Sequence, residues 1–239
     1  MKWTSRIYKF FIDILYPNRC PVCDSFIGYD KLICEKCITQ LPYIEEEYCI
    51  KCGKHGCICG KHKIYYDKCL SFIYYEGKGK DGIMNLKLKC GVNFAEYFAE
   101  KVVTALDERG LLSQIDFITA TPTTKDKLQE RGYNQAFEFA KHISKLCDIK
   151  ASENFLVKTD SELNQHELSS AERKSRSFKA YTLSSKAPSL SGKTILLCDD
   201  VITTGSTLNA CAKILKKAGA ERVICVAIAN TNHYSKNKK

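Results

Sequence analysis

Cysteine spacing constrains this chain more than any other feature. Nine of its 14 cysteines fall in the first 69 residues, and eight of those nine form close pairs. Cys20-Pro-Val-Cys23 and Cys34-Glu-Lys-Cys37 are C-x2-C knuckles separated by ten residues. Together they offer four thiolates, the complement of a closed tetrahedral Zn²⁺ site. A third knuckle, Cys49-Ile-Lys-Cys52-Gly53, carries a glycine suited to the tight turn of a metal knuckle. The fourth pair is C-x-C, Cys57-Ile-Cys59, and His62 follows Cys59 at C-x2-H spacing. We therefore expect two structural zinc ions. The first is held by Cys20, Cys23, Cys34 and Cys37. The second is held by Cys49, Cys52, Cys57 and Cys59, with His62 as the substitute ligand. Paired knuckles at two separate sites fit zinc better than an iron–sulfur cluster.

The compartment follows from the same residues. A secreted disulfide scaffold would need an export signal. In the N-terminal segment Lys9 and Asp13 interrupt the apolar run, and no small-residue cleavage site follows. Ile7, Phe10, Phe11, Ile14 and Leu15 fit one face of a short helix. No stretch approaches the ~20 apolar residues of a membrane span. The chain reads as cytoplasmic, with reduced cysteines acting as metal ligands.

Residues 1–69 form the zinc-binding head, with few long apolar runs, so metal binding supplies much of its folding energy. Lys51, Lys54, Lys61, Lys63 and Lys68 lie near Tyr65, Tyr66, Phe72, Tyr74 and Tyr75. Such a mixture can track phosphates and stack bases, and it equally describes a solvated lysine loop over core aromatics. The formal charge of +10 permits an anionic partner and identifies none. Eight thiolates with two Zn²⁺ would take four charges off it.

From residue 70 to 239 the texture changes to alternating strands and helices. Strands are expected at 70–75, 115–120, 195–198 and 223–229, and helices at 94–106, 136–146 and 206–218. Gly77, Gly79 and Gly82 read as a loop, and the polar stretch 161–191 as a long mobile loop of the kind that forms lids. Strands alternating with helices imply a parallel sheet with crossover connections. The six remaining cysteines, Cys69, Cys90, Cys147, Cys198, Cys211 and Cys225, read mostly as reduced core residues.

The chemistry is densest at Ile195-Leu-Leu-Cys-Asp-Asp-Val-Ile-Thr-Thr-Gly-Ser-Thr207. An apolar strand ends on two carboxylates, where open α/β sheets place ligands. Thr203, Thr204, Gly205, Ser206 and Thr207 then lead into a helix, whose N-terminal amides and hydroxyls suit a phosphate. Asp199 and Asp200 suit the vicinal hydroxyls of a sugar. The site is shaped for a sugar phosphate. Neither a G-x-x-x-x-G-K-[ST] nor a G-x-G-x-x-G pattern occurs, which removes nucleotide triphosphatase and dinucleotide readings.

These 13 consecutive positions resemble the phosphoribosyl-pyrophosphate (PRPP) motif of type I phosphoribosyltransferases. The resemblance implies a type I phosphoribosyltransferase-like parallel sheet flanked by helices, preceded by a small zinc-ribbon-like domain. It implies that Asp199 and Asp200 hold the ribose hydroxyls and residues 203–207 the 5′-phosphate. Arg131-Gly-Tyr-Asn-Gln135, Gln165-His-Glu-Leu-Ser with Glu172-Arg173, Leu86-Lys87 and the paired knuckles are together similar to the ComF/GntX-like family. These are competence-associated, phosphoribosyltransferase-like proteins with an N-terminal zinc-binding region. Two departures stand out: Arg173-Lys-Ser is followed by Arg176 where the family usually has asparagine, and the last knuckle is C-x-C. The resemblance implies displacement of pyrophosphate from C1 of PRPP by a nitrogen nucleophile, with Mg²⁺ bound largely through the substrate's own oxygens. Lys87, Arg131, Arg173, Lys125 and Lys127 are the candidate pyrophosphate contacts, since charge-assisted bonds to phosphate favour such side chains. Asn134 and Gln135 either fix the loop or read a substrate. Two functions follow. One is a PRPP-binding module of natural competence that handles single-stranded DNA, with a competence helicase or recombination loader. The other is an active phosphoribosyltransferase of unknown acceptor.

Overall fold

The computed structural model describes residues 17–45, 48–54, 57, 59–60, 63–88, 91–159 and 180–231. The expected N-terminal helix, His62, Cys90 and Arg173 lie outside them.

Within the head, the second knuckle runs through a single helical turn, α1 (Glu35–Ile38). Cys34 Sγ caps it by accepting from the Cys37 N–H at 3.4 Å.

Four parallel strands form one sheet: β1 (Lys68–Tyr74), β2 (Phe117–Ala120), β5 (Thr194–Ile202) and β6 (Arg222–Asn230). Their order across the sheet is β1-β6-β5-β2. Alternation along each strand divides two cores. Leu196, Cys198, Ile224 and Val226 face one layer, while Ile195, Leu197, Val223 and Cys225 face the other. Helices cover both faces, as a parallel sheet requires. Helix α3 (Val92–Asp107) and helix α5 (Gln135–Cys147) seat Phe94, Phe98, Phe139 and Ile143 in the first core. Helix α6 (Ser206–Lys217) seats Leu208, Cys211 and Leu215 in the second. Among the extra cysteines, Cys69, Cys198, Cys211 and Cys225 are fully buried, and Cys147 is half-buried at the end of α5. Burial pushes the Cys198 and Cys225 thiols well up, which leaves them unreactive.

Gly77, Gly79 and Gly82 do not form the expected loop. They belong to helix α2 (Gly77–Lys87). Two of them are there for packing: a Cβ on Gly79 would fall 2.6 Å from the Tyr74 carbonyl oxygen, and one on Gly82 would overlap the buried Phe94 ring. Three further elements carry no clear sequence signal. Helix α4 (Lys125–Arg131) buries no residue, and β3 (Leu156–Lys158) and β4 (Tyr181–Leu183) form an antiparallel pair that brackets residues 160–179.

The cysteine-rich segment seals the β1 edge of the sheet. Tyr74 N–H donates to Pro42 O at 2.8 Å, Ile44 N–H to Phe72 O at 2.9 Å, and Cys69 N–H to Ile50 O at 2.8 Å. These bonds satisfy an edge that would otherwise invite pairing with another chain. Cys20, Val22, Ile33, Cys37 and Leu41 join the first core directly. Among the described residues no helix is long and apolar enough to cross a membrane.

Candidate functional site

All four strands run in one direction, so their carboxyl ends share one edge, and the site is built there. Strand β5 carries Asp199 and Asp200 to that edge. In the parallel register Cys198 lies opposite Ala120, so the next residue of the β2 chain, Thr121, meets Asp199. Thr121 Oγ1 donates to Asp199 Oδ1 at 3.0 Å, and the Asp200 N–H donates to the same oxygen at 2.9 Å. The Val201 N–H donates to Asp200 Oδ1 at 2.9 Å. Each acid is thus oriented by fixed donors. Desolvation, and then the neighbouring Asp200 carboxylate, push the Asp199 carboxyl well above the usual carboxylate range. Such a perturbed acid pair at the carboxyl edge of a sheet is what a ligand-binding site presents.

Gly205 precedes helix α6 in the left-handed region, at φ 79°, which permits the sharp turn into the helix. Thr204 Oγ1 accepts from the Ser206 N–H at 3.2 Å and donates to Ser206 Oγ at 2.9 Å, so the loop hydroxyls order one another. Tyr181 of β4 packs against the core that holds Leu208 of α6, which brings the hairpin against the helix start. A helix N-terminus with ordered hydroxyls is an anion site by its backbone chemistry.

The cations divide. Helix α2 brings Lys87 Nζ to 3.7 Å from Asp200 Oδ2, and the two side chains are only 25% and 19% exposed. Lys125, Lys127 and Arg131 all lie on α4, which follows β2 at the same edge. Lys125 and Lys127 are exposed, and Arg131 Nη1 donates to Gln135 Oε1 at 3.2 Å. The structure therefore places Lys87 against the acids, and Arg131 against Gln135. Asn134 serves the framework. Its Oδ1 caps α5 through the Ala136 N–H, and its Nδ2 donates to Thr121 O at 3.0 Å. Gln135 Nε2 is buried and has no hydrogen-bond partner among the described residues.

Two participants escape the sequence reading as site residues. Thr121 is legible only once β2 and β5 are known to be neighbours. Lys54, noted only as one of several head lysines, crosses from the third knuckle and donates from Nζ to Thr203 O at 3.2 Å.

The eight paired cysteines form two clusters, Cys20/Cys23/Cys34/Cys37 and Cys49/Cys52/Cys57/Cys59, with the sulfurs of each within 4.8 Å of one another. A tetrahedral ion with ~2.3 Å Zn–S bonds requires sulfurs about 3.8 Å apart. Cys23 and Cys34 are separated by 3.7 Å and Cys49 and Cys59 by 3.8 Å. In each cluster one thiol is prepared as a thiolate. The Ser25 hydroxyl lowers Cys23 to about 6, and the Cys52 N–H lowers Cys49 to about 6. Desolvation and neighbouring thiols push Cys37 up, and push Cys59 up to about 12. Crowded thiols of this kind ionise together only around a cation, and the donor set fits structural zinc.

Comparison with known proteins agrees with both halves. Residues 11–70 match the double zinc ribbon domain and residues 134–239 the phosphoribosyl transferase domain. The chain is similar to competence protein F of Haemophilus influenzae, at 27% identity over 200 residues covering 80% of this chain and 85% of that one. It is similar to competence protein ComFC of Bacillus subtilis, at 24% identity over 225 residues covering 84% and 89%. It is also similar to the DNA utilization protein YhgH of Escherichia coli, at 26% identity over 208 residues covering 85% and 86%. With matches to a double zinc ribbon and a phosphoribosyl transferase domain, and with these relatives along four-fifths or more of its length, the chain resembles ComF-like proteins in both halves.

Proposed function

We propose that this chain binds PRPP with Mg²⁺ at the carboxyl edge of its sheet and serves the handling of DNA in natural competence. Single-stranded DNA and a competence helicase or recombination loader are its partners in this reading. One observation carries the ligand assignment: Asp199 and Asp200 run directly into the ordered 203–207 loop at the start of α6, with Lys87 held 3.7 Å from Asp200. The names of the relatives, competence and DNA utilization, support the process.

The roles follow from the donors and acceptors available. Asp199 and Asp200 accept hydrogen bonds from the ribose 2′- and 3′-hydroxyls. The amides and hydroxyls of residues 203–207 hold the 5′-phosphate. Lys87, Lys125, Lys127, Arg131 and Arg173 are the cations available to the pyrophosphate. Mg²⁺ would be held largely by the ligand's own oxygens and would neutralise part of their charge. The two cysteine clusters, each loaded with zinc, hold the head on the edge of the sheet.

Lys87 favours a second reading, an active phosphoribosyltransferase, because a cation beside the sugar site can stabilise a departing pyrophosphate. In that reaction the C1–O bond to pyrophosphate breaks, a C1–N bond forms, and the nitrogen loses a proton to solvent.

Calorimetric titration of Mg·PRPP into the wild type and an Asp199→Ala/Asp200→Ala double variant tests the ligand. Binding to the wild type alone is expected, and no heat with the wild type sinks the assignment. Pyrophosphate release across candidate nitrogen acceptors, measured with single-stranded DNA binding, separates the two readings. DNA binding without pyrophosphate release supports the module, and release with one acceptor supports the enzyme.

A further inference from the structure

The zinc-bearing head and the phosphate loop are far apart in sequence and joined in space. Cys49 and Cys52 lie in the second cluster, and their knuckle closes through two backbone bonds, Gly53 N–H to Cys49 O at 2.7 Å and Cys49 N–H to Lys54 O at 3.0 Å. Lys54 is thus fixed at its backbone by the same turn that gathers the thiols. The turn is also fixed against the sheet. Asn230 Nδ2, at the end of β6, donates to Gly53 O at 2.8 Å, and a Cβ on Gly53 would meet Cys69 Sγ at 3.1 Å.

From that anchored position the half-buried Lys54 donates to Thr203 O at 3.2 Å. Thr231 Oγ1 donates to the same carbonyl at 3.2 Å. Thr203 opens the phosphate loop. A carbonyl oxygen turned into such a loop repels an anion, whereas one held outward leaves the amides to face it. The chain leaving the head braces the helix as well: the Tyr65 N–H donates to Asn209 Oδ1 at 2.7 Å, and Asn209 Nδ2 donates to Lys63 O at 2.9 Å. The loop is therefore held from outside at its first residue and along the first turns of α6.

We propose that the second cysteine cluster is a working part of the phosphate loop: through Lys54 it positions the Thr203 carbonyl, so metal occupancy of the cluster and anion binding at the loop are coupled. This rests on the PRPP reading for its ligand, and on the hydrogen bonds above for the positioning itself. Lys54 is a positioning residue. Coupling of this kind is reciprocal, so the anion must also tighten the metal.

The test uses the full zinc-loaded chain and Lys54→Met. Amide hydrogen exchange is followed at residues 203–207 without ligand, against β6 as an internal reference. A charge-assisted hydrogen bond at a half-buried site corresponds to roughly five- to twentyfold in an equilibrium. Exchange at 203–207 is expected to rise by about that factor in Lys54→Met, with zinc unchanged at two per chain by metal analysis. Cys57→Ser, which opens the second cluster, gives the same rise, and Lys54→Arg recovers most of the loss. Mg·PRPP affinity falls by a similar factor in Lys54→Met, and Mg·PRPP slows zinc release to a chelator from the second cluster alone. Unchanged exchange at 203–207 in Lys54→Met overturns the proposal. If the wild type binds no PRPP while exchange still rises, the positioning stands and the PRPP reading falls.

Discussion

Replacing Gly82 with alanine puts a methyl group where there is no room for one. A Cβ there would lie 2.6 Å from Phe94 Cδ2 and closer still to two other ring atoms. The ring has no easy retreat: Phe94 is fully buried and meets Phe98 edge-on, with centroids 4.9 Å apart. Overpacking of this sort costs about 1–3 kcal/mol, and alanine recovers ~1 kcal/mol of helix propensity over glycine. The remainder is carried by movement of α2 away from α3. Restoring a normal carbon–carbon contact needs roughly 1 Å of withdrawal. Lys87 rides on the end of that helix, 3.7 Å from Asp200. At an effective dielectric of about 20, moving that pair apart by ~1 Å weakens its attraction by about 1 kcal/mol. The overlap onto a fully buried ring takes the upper end of that range, so the net expectation is a stability loss of about 2 kcal/mol and a fall in Mg·PRPP affinity of about fivefold. Urea unfolding at pH 7 measures the first and calorimetry the second. Phe94→Leu in the same background should recover part of the Gly82→Ala loss, as a double-mutant cycle reveals. A Gly82→Ala protein as stable as the wild type would refute the claim that packing, and not a turn, fixes this glycine.

Two further outcomes follow from the site. Asp199 is held well above the ordinary carboxylate range by burial and then by Asp200, so the folded chain binds more protons than the unfolded one and loses stability as pH rises past about 4. Asp199→Asn keeps an acceptor for Thr121 and the Asp200 N–H, so thermal melts should show it more stable than wild type at pH 7, with the gain shrinking toward pH 4; lower stability at pH 7 contradicts this. Cys37 is buried both in the first cluster and in the main core, so Cys37→Ser should drop bound zinc from two to one and lower the melting temperature by at least ~6 °C, for a loss of about 3 kcal/mol; a fully stable variant with one zinc would show that the first cluster does not support the fold.

What the sequence reveals and what it hides have physical causes. Strands β5 and β6 are long apolar runs buried on both faces, so their order along the chain is plain. The acid pair and the 203–207 loop are contiguous, and so are legible as one unit. The cysteine pairs are legible because metal geometry demands fixed spacing. Helix α2 is hidden because its glycines answer to neighbours, Tyr74 and Phe94, that sequence order does not bring near. Strands β3 and β4 are three residues each and exist only by pairing with one another. Thr121 and Lys54 reach the site from 78 and 149 positions away from their partners. Only the parallel register and the docked head bring them there. The +10 charge, suggestive in isolation, yields among the described residues one lysine with a defined place against the acids and one against the loop.

The central claim is that residues 203–207 take the 5′-phosphate while Asp199 and Asp200 take the ribose. Amide chemical-shift mapping with the parts of the ligand tests it directly. Ribose 5-phosphate alone should shift the amides of 203–207 and of Asp200 and Val201. Pyrophosphate alone should leave 203–207 unmoved. Shifts at 203–207 from pyrophosphate, with none from ribose 5-phosphate, would contradict the claim.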